Sequence, residues 1–157
     1  MKIYFAAPMF AESERLYNTM IVESIREKFP ECQIYLPQEN GDINDKMAYA
    51  NSLMIAKADT NEVLKSDLMI AILDGISIDA GVASEIGVAY AKGIPIMGLY
   101  TDSRQQGGEH PDKLAALTEI GENQFHYLNL YTTGLIKLNG LIVSSKEELL
   151  SELLKKL

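Results

Sequence analysis

The feature that most constrains the fold is a continuous apolar run from Leu68 to Leu73, near the middle of the chain. Uninterrupted apolar runs of this length are typical of a strand that is buried on both faces of a parallel sheet. On both sides of the run, short segments of strand character alternate with longer segments of helical periodicity. This alternation predicts a doubly wound α/β fold, of flavodoxin-like or Rossmann-like type, in which a five-stranded parallel sheet carries helices on both faces.

The hydrophobic pattern also predicts where the elements begin and end. The predicted strands span residues 2–7, 32–36, 68–73, 94–100 and 141–143. The predicted helices span 13–29, 45–65 with a break near Asp59, 79–92 with Gly93 as its stop, and a last helix that begins with the capping box 145–148. Residues 101–122 are predicted to form a long loop with one short helix, whose apolar face carries Leu114, Leu117 and Ile120, and a short segment follows at 128–134. Because the 157 residues contain no linker and no repeat, we expect one domain over residues 1–157.

Charge and composition exclude several classes of function. A net charge of −8 with no basic run disfavours nucleic-acid polymers and anionic membranes as partners. The single cysteine, Cys32, excludes an intramolecular disulfide and a cysteine-based zinc site, and His110 and His126 are too far apart for an HExxH-type metal site. No apolar run is long enough for a signal peptide or a membrane span. We therefore expect a cytoplasmic protein without a metal.

The chemistry of the chain is concentrated in the predicted helix 79–92. The familiar phosphate-binding loops and the GxSxG nucleophile motif are absent from the sequence. Asp79 stands where a helix N-cap is expected, and Glu85 is the only charged residue between Asp79 and Lys92. A carboxylate in so apolar a helix is costly to bury unless it is hydrogen-bonded or kept for function. Glu85 is thus a candidate nucleophile, although Asp79 taken alone is explained equally well as a cap.

Taken together, these residues resemble the nucleoside 2-deoxyribosyltransferase family. Residues 3–10, IYFAAPMF, are similar to the first strand and loop of that family. The sharper match is the segment 79–87, DAGVASEIG, which is similar to the family pattern D-x-G-x-x-x-E-[LI]-G. Asp59 falls where the family places another active-site aspartate, and Asn129 looks like the family's late asparagine that reaches the active site of a neighbouring subunit.

The resemblance implies a chemical role for each matched residue. Glu85 would attack the anomeric carbon of a 2′-deoxynucleoside and form a covalent 2-deoxyribosyl ester, as in retaining glycosidases. Tyr4 would orient Glu85, and Asp59 would handle the proton of the leaving or entering base. Asp79 would hold the sugar hydroxyls, and Asn129 would complete the sugar site across a subunit interface.

The remaining expectations concern the binding pocket and its partners. Gly81 would let the ligand approach closely, while Phe10 and Asn40 lie in segments that would shape the base pocket. The resemblance implies nucleosides and nucleobases as partners, no cofactor, and a homo-oligomer with shared active sites. Purine or pyrimidine preference stays open at this point.

Three other interpretations are compatible with parts of the sequence. A 2′-deoxynucleoside 5′-monophosphate N-glycosidase of the same fold would need phosphate donors, and residues 7–10 lack the Ser and Arg of that branch, although Arg15 or Arg104 could reach in. A phospho-accepting receiver domain could use Asp74, but the acidic pair after the first strand is missing. A nucleoside-binding protein without turnover is disfavoured by the joint presence of Tyr4, Asp79 and Glu85.

Overall fold

The computed structural model of the protein describes residues 1–41 and 49–157. Five strands form one sheet: β1 Lys2–Ala6, β2 Gln33–Tyr35, β3 Leu68–Ile72, β4 Ile96–Leu99 and β5 Gly140–Val143. The described residues form six α-helices: α1 Glu12–Lys28, α2 Ser52–Leu64, α3 Ala80–Lys92, α4 Pro111–Ala115, α5 Leu130–Leu138 and α6 Lys146–Leu154. Short 3₁₀ turns lie at Pro37–Glu39, Ser103–Gln105 and Ala116–Thr118.

The sheet is parallel throughout, with the strand order β2-β1-β3-β4-β5. The chain runs outward from β1 to β2 and then crosses to β3 on the other side of β1, so the order reverses between β1 and β3. In a doubly wound fold, ligands bind at the carboxyl ends of the strands beside such a reversal. The predicted fold class is therefore confirmed, and the topology places the expected site after β1 and β3.

Alternation along β1 sends its side chains to two separate cores. Ile3 and Phe5 pack on the face that carries α1 and α6, whereas Tyr4 and Ala6 pack on the face that carries α2, α3 and α5. The strand period of two requires this separation. Tyr4, which is fully buried, consequently points from the middle of the sheet towards α3 and Glu85.

Two sequence predictions about helices are wrong in detail. Helix α2 runs without interruption through Asp59, because the surrounding Ala and Met residues favour helix and Asp59 lies partly buried on its inner side. The predicted apolar face of the loop helix also fails, because α4 ends at Ala115, a 3₁₀ turn follows, and Ile120 is fully exposed. Of the predicted helix 45–65, residues 45–48 lie outside the described residues and residues 49–51 are not helical, because Asn51 caps α2 at its start.

The ends of the other helices agree with their sequence signals. Asp79 is the N-cap of α3, and Gly93 ends that helix with a φ of 79°, a left-handed conformation that favours glycine. Ser145 caps α6 by accepting a hydrogen bond from the Glu148 N–H. The segment predicted at 128–134 continues as α5 to Leu138. None of the described helices combines the length and the apolar character that spanning a bilayer takes.

Candidate active site

The centre of the candidate site is a hydrogen bond between two side chains that are 81 residues apart in sequence. The Tyr4 hydroxyl donates to Glu85 Oε1 over 2.6 Å. Burial and the negative charge of Glu85 raise the pKa of Tyr4 well above its usual range, so the phenol keeps its proton and remains a donor. Among the described residues, Glu85 Oε2 has no hydrogen-bond partner.

Glu85 has an environment that is typical of a reactive carboxylate. Burial is the largest influence and raises its pKa to about 7. The hydrogen bond from Tyr4 opposes this shift, while the negative charges of Asp59 and Asp79 add to it. Near neutral pH the side chain therefore exists in both protonation states, and its ionised form is poorly solvated. Carboxyl groups in such positions are candidates for catalysis.

A cleft of about 360 Å³ between α2 and α3 brings Asp59 and Glu85 to one surface. Apolar side chains of α2, among them Ile55 and Val63, form much of its wall, and Gly81 and Ser84 of α3 line the other side. Burial raises the pKa of Asp59, so this carboxyl group binds a proton more readily than an exposed aspartate does. A pair of carboxyl groups in one partly apolar cleft can divide the roles of nucleophile and proton donor.

Tyr35 is a member of the site that the sequence reasoning missed. Its ring stacks on Tyr4, with the ring centroids 5.5 Å apart, and its hydroxyl accepts a hydrogen bond from Asn40 Nδ2 over 2.9 Å. The structure thereby connects Asn40 to Tyr4 and Glu85 through one aromatic ring. Tyr35 lies opposite Tyr4 in the β1–β2 register. The sequence feature that could have identified Tyr35 is a polar aromatic residue in β2, the strand predicted next to β1.

Asp79 has both the capping role and a free oxygen. Its Oδ1 accepts hydrogen bonds from the N–H groups of Gly81 (2.8 Å) and Val82 (3.1 Å). Its Oδ2 has no partner among the described residues. The capping bonds therefore hold the carboxylate through one oxygen and leave the other oxygen without a partner among the described residues. A Cβ on Gly81 would lie 3.0 Å from Asp79 Oδ1, so glycine suits this turn.

Two of the predicted binding residues do not line the cleft that contains Glu85. The side chain of Phe10 is 76% exposed. Asn129 is exposed and caps α5 through a hydrogen bond from the Thr132 N–H to its Oδ1. Neither residue lines the cleft between α2 and α3. Within residues 1–41 and 49–157, no three His, Cys, Asp or Glu side chains are grouped so that they could hold a metal ion.

The Tyr4–Glu85 hydrogen bond predicts an effect on pH dependence. Tyr4→Phe removes a donor that stabilises the ionised carboxylate, so the pKa of Glu85 should rise. A hydrogen bond to a charged group contributes about 1.5–3 kcal/mol, which corresponds to about one to two pH units. In a plot of kcat/KM against pH, we expect the acidic limb to move to higher pH by about one to two units.

The matched control for this variant is Tyr35→Phe. Tyr35 lies in the same aromatic stack, but its hydroxyl is bonded to Asn40 rather than to Glu85. The acidic limb of the control should stay close to that of the unmodified protein. Equal displacements in the two variants would show that the hydroxyl of Tyr4 has no specific influence on Glu85.

Fold and site together define an α/β protein with a carboxylate-centred cleft between two helices, α2 and α3, on one face of its sheet. The model of the family described as nucleoside 2-deoxyribosyltransferase matches residues 3–150. The chain therefore belongs to the nucleoside 2-deoxyribosyltransferase family, whose members are enzymes that act on nucleosides. No curated protein matches the sequence.

Solved structures support the fold assignment. A conserved protein from Enterococcus faecalis V583 is 65% identical, with a TM-score of 0.95, and the alignment covers 99% of this chain and 98% of that one. A 2-deoxyribosyltransferase from Leishmania mexicana is 21% identical, with a TM-score of 0.57 and coverages of 83% and 84%. A CMP N-glycosidase from Clostridium botulinum is 17% identical, with a TM-score of 0.53 and complete coverage of both chains. The last two likenesses concern the fold alone.

Proposed function

We propose that this protein transfers 2-deoxyribose between nucleobases by a double displacement in which Glu85 is the nucleophile. The observation that carries the proposal is the 2.6 Å hydrogen bond from Tyr4 to one oxygen of Glu85, which leaves the other oxygen free in a cleft that Asp59 also lines. An oriented, poorly solvated carboxylate beside a second carboxyl group is the arrangement that retaining glycosyl transfer needs.

In the first step, ionised Glu85 attacks C1′ of the nucleoside and the N-glycosidic bond breaks. The electron pair of that bond goes to the base nitrogen, and protonated Asp59 supplies the proton that the departing base needs. A covalent 2-deoxyribosyl ester of Glu85 remains. The transition state resembles an oxocarbenium ion, which a 2′-hydroxyl would destabilise by withdrawing electrons. The proposed substrates are therefore 2′-deoxyribosides rather than ribosides.

In the second step, a different base attacks C1′ from the face that the first base left. Asp59 accepts the proton of the entering nitrogen, the ester bond breaks, and the Glu85 carboxylate is restored. Two inversions give net retention at C1′. Throughout both steps, the Tyr4 hydroxyl donates a hydrogen bond to Glu85 Oε1. Asp79 Oδ2 accepts a hydrogen bond from a sugar hydroxyl.

The overall reaction is tested by incubating the protein with deoxyinosine and free adenine and separating the products by chromatography. Formation of deoxyadenosine is the expected result. Release of hypoxanthine without a new nucleoside would mean that water is the acceptor and the protein is an N-glycosidase. Because base preference is open, an unchanged mixture both here and with a pyrimidine deoxynucleoside as the donor would contradict both forms of the proposal.

We further propose that the protein forms a homo-oligomer in which Asn129 acts in the site of a neighbouring subunit. Asn129 lies outside the cleft of its own chain, and the helix that it caps carries Leu130 and Tyr131 with exposed fractions of 85% and 76%. Large apolar side chains exposed side by side are typical of an interface. A second copy of the chain would cover Leu130 and Tyr131, and Asn129 would then reach the α2–α3 cleft of that second copy.

Mixing two inactive variants tests this shared site. Glu85→Gln removes the nucleophile, and Asn129→Asp keeps the capping oxygen of α5 while it removes the amide donor. We expect each variant alone to have little activity and the re-equilibrated mixture to recover part of it, because some mixed sites combine both native residues. A fully active monomer in sedimentation at assay concentration would contradict the proposal.

A further inference from the structure

We propose that a cavity on the α1 face of the sheet binds the primary ammonium group of an aliphatic amine. The cavity has a volume of about 290 Å³ and lies between the β1–α1 loop, the first turns of α1 and the β3–α3 loop. Two of its lining residues, Tyr17 and Ile72, pack with the core on the α1 and α6 face, whereas Glu85 lies in the α2–α3 cleft on the other face. No described residue lines both the cavity and the cleft, so the inference goes beyond the proposed function.

The observation that points to a ligand is the side chain of Asn18. Asn18 lies on the buried side of α1 in line with Ile21 and Ile25, where an aliphatic residue would be expected, and its exposed fraction is 1%. Its Nδ2 donates to the Pro8 carbonyl (2.8 Å) and to Gln38 Oε1 (3.1 Å). Among the described residues, its Oδ1 has no partner. A buried acceptor is costly to keep unless a donor from outside the chain reaches it.

Asn18 Oδ1 opens into the cavity. Within residues 1–41 and 49–157, every side-chain nitrogen or oxygen that is closed off from the surface has a hydrogen-bond partner. Asn18 Oδ1 has none, so this atom must retain access to the surface. The cavity, which Asn18 lines, provides that access. The buried asparagine therefore presents a hydrogen-bond acceptor to a ligand in the cavity.

Two carboxylates in the cavity wall set the charge of the ligand. Glu14 Oε2 accepts hydrogen bonds from the N–H groups of Phe10 (2.8 Å) and of the N-cap Ala11 (2.7 Å), which leaves Oε1 without a partner among the described residues. Asp74 accepts from the N–H (2.6 Å) and the hydroxyl (2.8 Å) of Thr101, one at each oxygen, and each oxygen can accept a second bond. Among the described residues that line the cavity, none has a cationic side chain. A cationic ligand would thus meet two negative charges without competing with a cation of the wall.

The set of acceptors matches an ammonium group. An ammonium has three N–H donors and no acceptor, and Glu14, Asn18 and Asp74 together offer three acceptors. Pro8 and Ile72 add apolar surface against which a methylene chain can pack. In the part of the chain that the structure describes, no three His, Cys, Asp or Glu side chains are grouped to hold a metal ion. The chemistry of the wall therefore favours an organic cation over a metal ion.

Three small probes separate charge from hydrogen bonding in calorimetry. We expect 1,4-diaminobutane to bind at neutral pH with a Kd of about 1 mM or below. Tetramethylammonium has the charge but no N–H donor and should bind at least about tenfold more weakly, while neutral 1,4-butanediol should show no binding. Equal affinity for the diamine and tetramethylammonium, or no binding of the diamine at about 10 mM, would overturn the proposal.

Substitutions of the two carboxylates test whether the diamine binds in this cavity. Glu14→Gln and Asp74→Asn each remove one negative charge and keep an acceptor for the N–H groups that the carboxylate binds. We expect each to weaken diamine binding at least about tenfold. Glu12→Gln is the matched control, since Glu12 is an exposed residue in the first turn of α1 that does not line the cavity, and it should leave the affinity unchanged. An equal loss in Glu12→Gln would show general attraction to an acidic protein and would overturn the proposal.

The side-chain amide of Asn18 reports the place of binding in the unmodified protein, so the test does not depend on how the variants fold. An ammonium at Oδ1 polarises the amide, and its N–H resonances should shift during a diamine titration with the Kd found by calorimetry. The amide of Asn139, which donates to the Ile94 carbonyl at the opposite edge of the sheet, should stay in place. A titration that shifts Asn139 but not Asn18 would overturn the site. Neither readout involves turnover, so failure of base exchange would leave this site standing, and failure of diamine binding would leave the role of Glu85 standing.

Discussion

Glu85→Gln is expected to lower kcat for base exchange at least about 1,000-fold, a loss of about 4 kcal/mol of transition-state stabilisation. Glutamine has nearly the same shape and can still accept the hydrogen bond from Tyr4, but its amide is a far weaker nucleophile than a carboxylate. The measurement is single-turnover formation of free base from a deoxynucleoside, which isolates the first displacement. Activity within tenfold of the unmodified protein would show that another group forms the covalent bond.

The stability of the same variant shows whether the loss is chemical rather than structural. The pKa of Glu85 is raised to about 7 in the folded protein, so the unfolded chain releases this proton at a lower pH than the folded one. The stability that the bound proton contributes is complete below about pH 4 and is lost as the pH rises to about 7. Relative to the unmodified protein, Glu85→Gln should therefore gain about 3 kcal/mol in free energy of unfolding between about pH 4 and pH 8. Urea unfolding at both pH values checks this gain.

Asp59→Asn is expected to lower kcat by about 100- to 10,000-fold for ordinary deoxynucleosides, the range for loss of a general acid. The loss should nearly vanish for a 7-methylated purine deoxyriboside, because its base departs as a neutral molecule without added proton. Comparison of the two substrates in single turnovers measures the effect.

Glu62→Gln is the matched control for Asp59→Asn. Glu62 lies on the same helix, but its carboxylate is bonded to Lys2 (2.6 Å) and Lys65 (2.9 Å) rather than lining the cleft. The control removes the same charge from α2 and should change kcat little for either substrate. A loss for Asp59→Asn that is equal for both substrates would contradict a role in protonating the leaving base.

Most of the fold could be predicted because its signals are local. The apolar run at β3, the helical spacing in α1 and the stop at Gly93 each depend on a few neighbouring residues. Predictions failed where tertiary packing overrode the local pattern. The predicted helix break near Asp59 is absent, because α2 continues through this residue and holds it on its partly buried side. Ile120 was misplaced because apolar spacing alone does not show that a helix ends at Ala115.

The candidate site depends on contacts between residues that are distant in sequence. No local pattern gives the Tyr4–Glu85 hydrogen bond, which the family resemblance anticipated and which the β1–β3 pairing and the packing of α3 bring about. Asn129 remains a prediction, since its proposed partner site belongs to a second chain.

The most direct measurement of the central claim is the location of the covalent intermediate. Fluorine at C2 of the sugar destabilises the oxocarbenium-like transition states of both displacements. A 2-fluorinated deoxynucleoside analogue with a good leaving group should therefore still form the ester but release it slowly, which leaves the sugar bound to the protein. Intact mass should then increase by one fluorosugar per chain, and peptide mapping should place the added mass on Glu85. Addition of adenine should release it as a new nucleoside. A label on Asp59, Asp74 or Asp79, or no label on a protein that still exchanges bases, would contradict the assignment of Glu85 as the nucleophile.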